Sequence, residues 1–356
     1  MLVIEVVAFT ARSPAFLSAG NVSNFLAFTP EVGMIALGMT LLMISGEFDL
    51  SVGSVFGFAP IVMWTLYNAH ITPLEIGFLI AMAIAVVIGF ANGWLVTRLK
   101  IPSFLVTLGM LLVVRGTALY ITSGFPQRIW TANSPLMTIL VGEFSVGQLR
   151  IHTSLLWFIL FAIILGYVLT QTKAGNWIQA AGGNPEAARA RGVHVARTKV
   201  LLFILTAVIS AYAGITSSIR VSAANPNSGT QYELEVIAMV VIGGTALTGG
   251  RGTIIGTVIG VLILRMMQNG IIMIGVPGLA YNIFIGAIIL IMMALHSWLE
   301  RRHRAGTSSL CQTNSYGWST STSFSGECRR STTSLYRYAE MKSSVCWVIT
   351  ARANRH

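Results

Sequence analysis

The residues able to do chemistry in this sequence are few, and their spacing points to recognition rather than to bond making. Asp49 is the only aspartate, and it stands just ahead of Leu-Ser-Val-Gly-Ser at residues 50–54. A carboxylate near the end of an apolar stretch is costly unless it faces a cavity, a partner or a helix N-terminus. With Ser51 assisting it can cap the following helix; contact with a solute or a coupling role is the alternative, and Glu47 carries the same ambiguity. Asn92, Arg115, Glu233, Glu235, Arg265, Gln268 and Asn269 also lie within apolar stretches. Each is a candidate for a solute pathway or for a hydrogen bond between helices, and Arg115 and Arg265 can each neutralise a glutamate. The histidines are dispersed, without metal-ligand spacing. The glycines at 243, 244, 249, 250 and 252 do not form a phosphate loop, because GGTALTGGRGT lacks the Lys-Ser or Lys-Thr that should follow. Close helix packing and a tight turn account for them better. With no other nucleotide-binding segment, the chain is expected to bind no cofactor of its own.

A polar loop over residues 173–199 carries a second pattern. Asn184 suits an N-cap, Pro185 the first helical position, and Glu186 the positive start of a helix; Gly192 can take the left-handed conformation that ends one. The spacing predicts a helix over 185–191. A helix of two turns is marginal in water, so neighbours or a partner must hold it. Gly182 and Gly183 allow close backbone approach, while Ala187, Ala188 and Ala190 offer a small-residue face.

The elements that must position these residues follow from composition. With 54% hydrophobic and 10% charged residues and a mean hydropathy of +0.73, the chain is far more apolar than a soluble domain requires. A span needs about 20 apolar residues whose backbone polar groups pair within the helix. The expected fold is an all-α polytopic membrane protein of about ten transmembrane segments, at 1–11, 30–46, 50–66, 76–96, 103–123, 152–171, 199–219, 233–248, 253–272 and 280–298. The first is too short to cross alone, and those at 50–66 and 233–248 are short and interrupted by glycine, as broken or re-entrant segments are. Ten alternating spans with the Arg301–Arg304 cluster on the cytoplasmic side put eleven Lys and Arg residues there against four outside.

Residues 1–304 read as the membrane domain and 305–356 as a disordered tail. Eighteen of the last 52 residues are Ser or Thr, and Cys311, Cys328 and Cys346, the only cysteines, all lie there. Much of the net charge of +11 is local to this end, so the basic balance does not indicate nucleic acid.

AAGGNPEAARARGV, within the polar loop, resembles the cytoplasmic coupling loop of ATP-binding cassette importer permeases. GEFDLSVGS, RLKIPSFLVTLGM, YELEVIAMVVIGGTALTGGRGTIIGT and NGIIMIGVPGLAYNIFIGAIIL resemble, in order, the sugar branch of that family, the ribose, xylose, arabinose and galactose permeases. The likeness covers about residues 5–300 and not the tail. It implies a permease subunit of a monosaccharide importer in the bacterial inner membrane, with a cytoplasmic C-terminus. The implied partners are an ATPase subunit that uses ATP and Mg, a periplasmic sugar-binding protein, a second permease subunit and membrane lipid. On this likeness Gly182, Gly183, Asn184, Glu186, Ala187, Ala188, Arg191 and Gly192 are the ATPase-coupling residues. Candidate pathway residues are Glu47, Asp49, Ser51, Asn92, Arg115 and Asn269. An amino-acid or nucleoside permease of the same superfamily and an ion-coupled secondary transporter are the alternatives.

Overall fold

Helices dominate because an apolar run has no backbone hydrogen-bond partner in lipid except itself. The computed structural model describes residues 2–128 and 134–275, with Ile283, Gly286, Ala287 and Leu290. In chain order the helices are α1 (Leu2–Arg12), α2 (Ala19–Ile44), α3 (Val52–Asn68), α4 (Leu74–Arg98), α5 (Ser103–Thr122), α6 (Pro135–Val141), α7 (Thr153–Gln171), α8 (Lys173–Gly183), α9 (Pro185–Ala190), α10 (Val195–Val221), α11 (Tyr232–Ile242) and α12 (Ile254–Met273). A 3-10 turn at Pro14–Leu17 and two short antiparallel strand pairs complete the described part, the pairs being β1 (Gln127–Arg128) with β4 (Ala223–Ala224), and β2 (Glu143–Val146) with β3 (Leu149–His152). The chain divides into units at Met1–Ile289 and Leu290–His356. The architecture below is that of the first; in the second only Leu290 is described.

Among the described residues six helices, α2, α4, α5, α7, α10 and α12, are long and apolar enough to cross a bilayer. The expected all-α membrane architecture is present, and six of the ten expected spans are found at full length among the described residues. The segments at 50–66 and 233–248 are the short helices α3 and α11, and α1 is an 11-residue helix whose Phe9 ring lies against Gly270 of α12. The expected span at 280–298, but for Ile283, Gly286, Ala287 and Leu290, the cluster at 301–304 and the tail lie outside the described residues. One boundary differs: α2 begins at Ala19 rather than at residue 30. Pro30 sits inside the helix, and its missing N–H does not stop a segment in which every residue from 29 to 44 is buried among neighbouring helices.

Glycines let those neighbours close on one another. A Cβ on Gly89 would lie 2.6 Å from the Ile204 Cα, and one on Gly93 2.7 Å from the Val200 Cα, so α4 and α10 meet backbone to backbone. These contacts also fix direction: the end of α4 and the start of α10 share one end of the bundle. Exposed apolar side chains such as Val87, Leu112, Val113 and Ile163 cover α4, α5 and α7, as lipid-facing helices require.

The two short helices begin inside the bundle. Ser210 Oγ donates to the Val52 carbonyl at the start of α3, and Ser210 lies 11 residues, about 16 Å, beyond Lys199 along α10. After α10 the chain folds back, and Arg115 Nη1 donates to the carbonyls of Pro226 and Ser228, each at 2.8 Å. The α11 helix then starts at Tyr232, whose ring meets that of Phe56 with centroids 5.1 Å apart. Non-helical backbone at this depth survives because protein groups such as Arg115 satisfy its carbonyls.

Buried charges are paired across helices. Arg220 of α10 donates to both carboxylate oxygens of Glu31 on α2, at 2.6 and 2.9 Å, and stacks 3.8 Å from the Phe28 ring. Arg265 of α12 lies 3.4 Å from Glu235 of α11 and also donates to Gln268. Removing one member of a buried pair leaves an uncompensated charge. Glu31→Met and Arg220→Met should therefore each destabilise the protein by roughly 3–5 kcal/mol, and the double variant by less than their sum. Thermal unfolding in detergent measures this; additive losses would contradict the pairing.

Candidate functional site

The polar loop folds as two helices rather than one. Sequence spacing finds α9, which ends at Ala190 with Arg191 as its cap, one residue short of the expected 185–191. It misses α8, whose buried residues Gly175, Ile178 and Ala181 recur at helical i, i+3 spacing. The α9 start is built as its residues suggest: Asn184 Oδ1 accepts from the Ala187 N–H at 3.0 Å, and Pro185 occupies the first turn. At its end, Gly192 takes φ +85°, and the Val193 N–H donates to the Ala188 carbonyl. That bond closes the six-residue turn of a Schellman cap.

Of the three alanines expected to form a small-residue face, Ala188 is turned inward. It is 4% exposed and packs against Ala181 and Val195, so it anchors α9 to its own chain. Gly183, Asn184, Glu186, Ala187, Arg189, Ala190, Arg191 and Gly192 are exposed. The result is a short capped helix with one small residue turned inward and a polar, mixed-charge outer face.

What fixes α9 to the bundle is a contact made of backbone. A Cβ on Gly182 would overlap the Ile44 carbonyl oxygen at the end of α2 and lie 2.7 Å from the Gly250 nitrogen. The Gly250 N–H donates to that same Ile44 carbonyl at 2.7 Å. On either side, a Cβ on Gly249 would lie 2.9 Å from the Gly46 Cα, and one on Gly250 2.9 Å from the Gly183 Cα. Three segments distant in sequence thus meet at one point: the α2–α3 connector at 45–51, the α8–α9 turn, and the α11–α12 connector.

The GEFDLS residues belong to that connector. Asp49 is fully buried, and its Oδ1 accepts from the Ser51 N–H at 2.8 Å and from the Ser51 hydroxyl at 2.5 Å. Asn92 Nδ2 on α4 donates to Ser51 Oγ at 3.0 Å. Asp49 is thus folded onto Ser51, the residue just ahead of α3, and makes no bond into the helix itself. Glu47 is paired with Lys199 of α10. Glu47, Asp49, Ser51 and Asn92 are thus brought together, beside the glycine contact.

Arg115 and Asn269 are not part of this group. Arg115 holds the 226–228 backbone, and Glu233 is the carboxylate that acts on its charge. Asn269 is half-buried on α12, 15 residues and about 22 Å along from the helix start at Ile254. Among the described residues no cluster of His, Cys, Asp and Glu could hold a metal ion. The missed participants are Gly46 and Lys199. Their signals were a glycine directly after an apolar run and a lysine at the head of the next span.

The glycine contact has a direct consequence. Gly182→Ala should cost roughly 1–3 kcal/mol, as overpacking at a filled site does, whereas Gly109→Ala on α5, with open space around it, should be neutral or mildly stabilising. Thermal unfolding of both variants in detergent checks the ranking; the reverse order would contradict it.

A family model described as branched-chain amino acid transport system / permease component matches residues 21–293. The chain is 34% identical to the ribose import permease protein RbsC of Escherichia coli K12, over 83% of this chain and 90% of that one. It is 35% identical to RbsC of Bacillus subtilis, over 83% and 90%. To the xylose/arabinose import permease protein XylH of Sulfolobus acidocaldarius it is 32% identical, over 84% and 83%. No solved structure matches the chain. On the extent of these matches the chain belongs to the family of branched-chain amino acid transport system permease components, multi-pass membrane proteins of transport.

Proposed function

We propose that this chain is the membrane-spanning permease subunit of an ATP-binding cassette importer, and that its cargo is a monosaccharide. The observation that carries this reading is α9, a capped surface helix whose outer face is exposed while its root is locked to α2 and to the 249–250 turn. A two-turn helix built so firmly into a polar end suits a rigid partner better than solvent. The partner is an ATPase subunit, which binds ATP and Mg and whose acidic groups pair with Arg189 and Arg191. A periplasmic sugar-binding protein delivers the cargo, and a second permease subunit completes the pathway.

The sugar assignment draws on relatives named for ribose, xylose and arabinose. It is supported by the charge pattern: Glu31, Glu47 and Glu235 each face a cation. A pathway beside such neutralised pairs suits an uncharged solute better than a zwitterionic amino acid. The end that carries α9 also carries Arg98, Lys100, Lys173, Arg189, Arg191, Arg197, Lys199 and Arg251. By the positive-inside rule that end faces the cytoplasm of a cell whose inner membrane holds the protein.

The test is association with the ATPase subunit. Glu186→Arg with Gly192→Val reverses a charge on the outer face and forces a branched side chain into a left-handed backbone position. The double variant should insert into the membrane normally and lose ATPase co-purification. Normal association would remove the assignment of α9.

A further inference from the structure

The α9 helix is held at its root by glycine contacts, and the structure ties the same region to the connector at a second point. Lys199 stands one turn into α10, directly after the loop that leaves α9, and its Nζ is paired with Glu47 Oε1; both side chains are 14% exposed. Glu47 lies on the connector whose next residues set the start of α3. The Phe48 N–H is 3.4 Å from Ser103 Oγ of α5, and Asp49 and Ser51 form a hydrogen-bonded turn just ahead of α3, to which Asn92 donates. The connector is therefore gripped from both flanks of α9, by the Gly46–Gly182 approach on the entering side and by Glu47–Lys199 on the leaving side.

The circuit closes through the second short helix. A Cβ on Gly57 of α3 would lie 2.7 Å from the Ser228 carbonyl oxygen, and one on Gly53 would overlap the Gly229 carbonyl oxygen, in the segment that leads into α11. The other end of α11 leads to Gly249 and Gly250, which are part of the glycine contact. Both short helices are thus tethered to the root of α9, one by its start and one by its end, and they touch each other inside the bundle.

We propose that the Glu47–Lys199 pair is a positioning contact that transmits displacement of α9 to α3. The proposal rests on the reading of α9 as the ATPase-docking element. When the ATPase closes and moves α9, Lys199 carries Glu47 and the connector with it, and the start of α3 shifts against the 226–233 segment. The glycine contact alone fixes where the connector sits; the ion pair makes it follow the α10 side of the loop.

The test uses the full chain with Cys311, Cys328 and Cys346 replaced by serine, the single reporter Ser54→Cys in the first turn of α3, and the co-purifying ATPase. Maleimide labelling of the reporter is compared without nucleotide and after trapping with ATP and vanadate, alongside ATPase association. With Glu47 and Lys199 intact, trapping should change the labelling rate at least about fivefold, the lower end of ordinary coupling between sites. Glu47→Gln and Lys199→Met should retain ATPase association and lose that change. Lys199→Arg and the exchange Glu47→Lys with Lys199→Glu should restore it, which a merely structural role would not require. A reporter insensitive to trapping, a change that survives both single variants, or a loss that neither restoring variant repairs would overturn the proposal. Absence of ATPase association with the unmutated pair, or its persistence in the Glu186→Arg, Gly192→Val variant, marks failure of the docking reading itself and takes this proposal with it.

Discussion

Everything at the polar end of this protein depends on one close approach, that of Gly182 to the carbonyl of Ile44. The last carbonyls of a helix lack intrahelical donors, and the Ile44 carbonyl is satisfied by the Gly250 N–H. That bond can form only because nothing projects from residue 182 into the same space. One backbone hydrogen bond therefore decides the mutual position of α2, the α8–α9 turn and the α11–α12 connector. Side chains could not do this as rigidly, since each would bring rotamers of its own.

The same economy appears deeper in the bundle. Breaking two helices inside a membrane exposes backbone groups that lipid cannot satisfy, and here Arg115, Ser210 and the hydrogen-bonded Asp49–Ser51 turn supply the partners. Both short helices pack against a frame in which α2 and α10 are joined by the Glu31–Arg220 pair and α4 and α10 meet backbone to backbone. The glycine contact lies where frame and short elements meet.

Much of this was legible in the residues, and the failures have physical causes. Asn184, Pro185 and Gly192 each act locally, on hydrogen bonds a few residues away, so their spacing identified α9 to within a residue. Pro30 is the complementary case: a proline ends a helix by local rules, but here tertiary burial overrides it, and α2 begins eleven residues before the expected span at 30–46. Ala188 could not be oriented from sequence, because three alanines in a two-turn helix look alike until Ala181 and Val195 choose one. The partnership of Gly46, Gly182, Gly249 and Gly250 was equally hidden. Each glycine announces a turn or a close contact, and none announces with what. The same holds for Lys199, which reads as one more positive charge at a span end until Glu47 is found beside it.

The central claim is that ATP hydrolysis by a partner, conveyed through α9, drives sugar across this bundle. Its most direct measurement is uptake of radiolabelled D-ribose and D-xylose into proteoliposomes that contain the chain, its co-purifying ATPase and a sugar-binding protein. Uptake that requires ATP and the ATPase and persists when ionophores collapse every ion gradient is the predicted result. Uptake that proceeds without the ATPase and vanishes with the gradient would contradict the account.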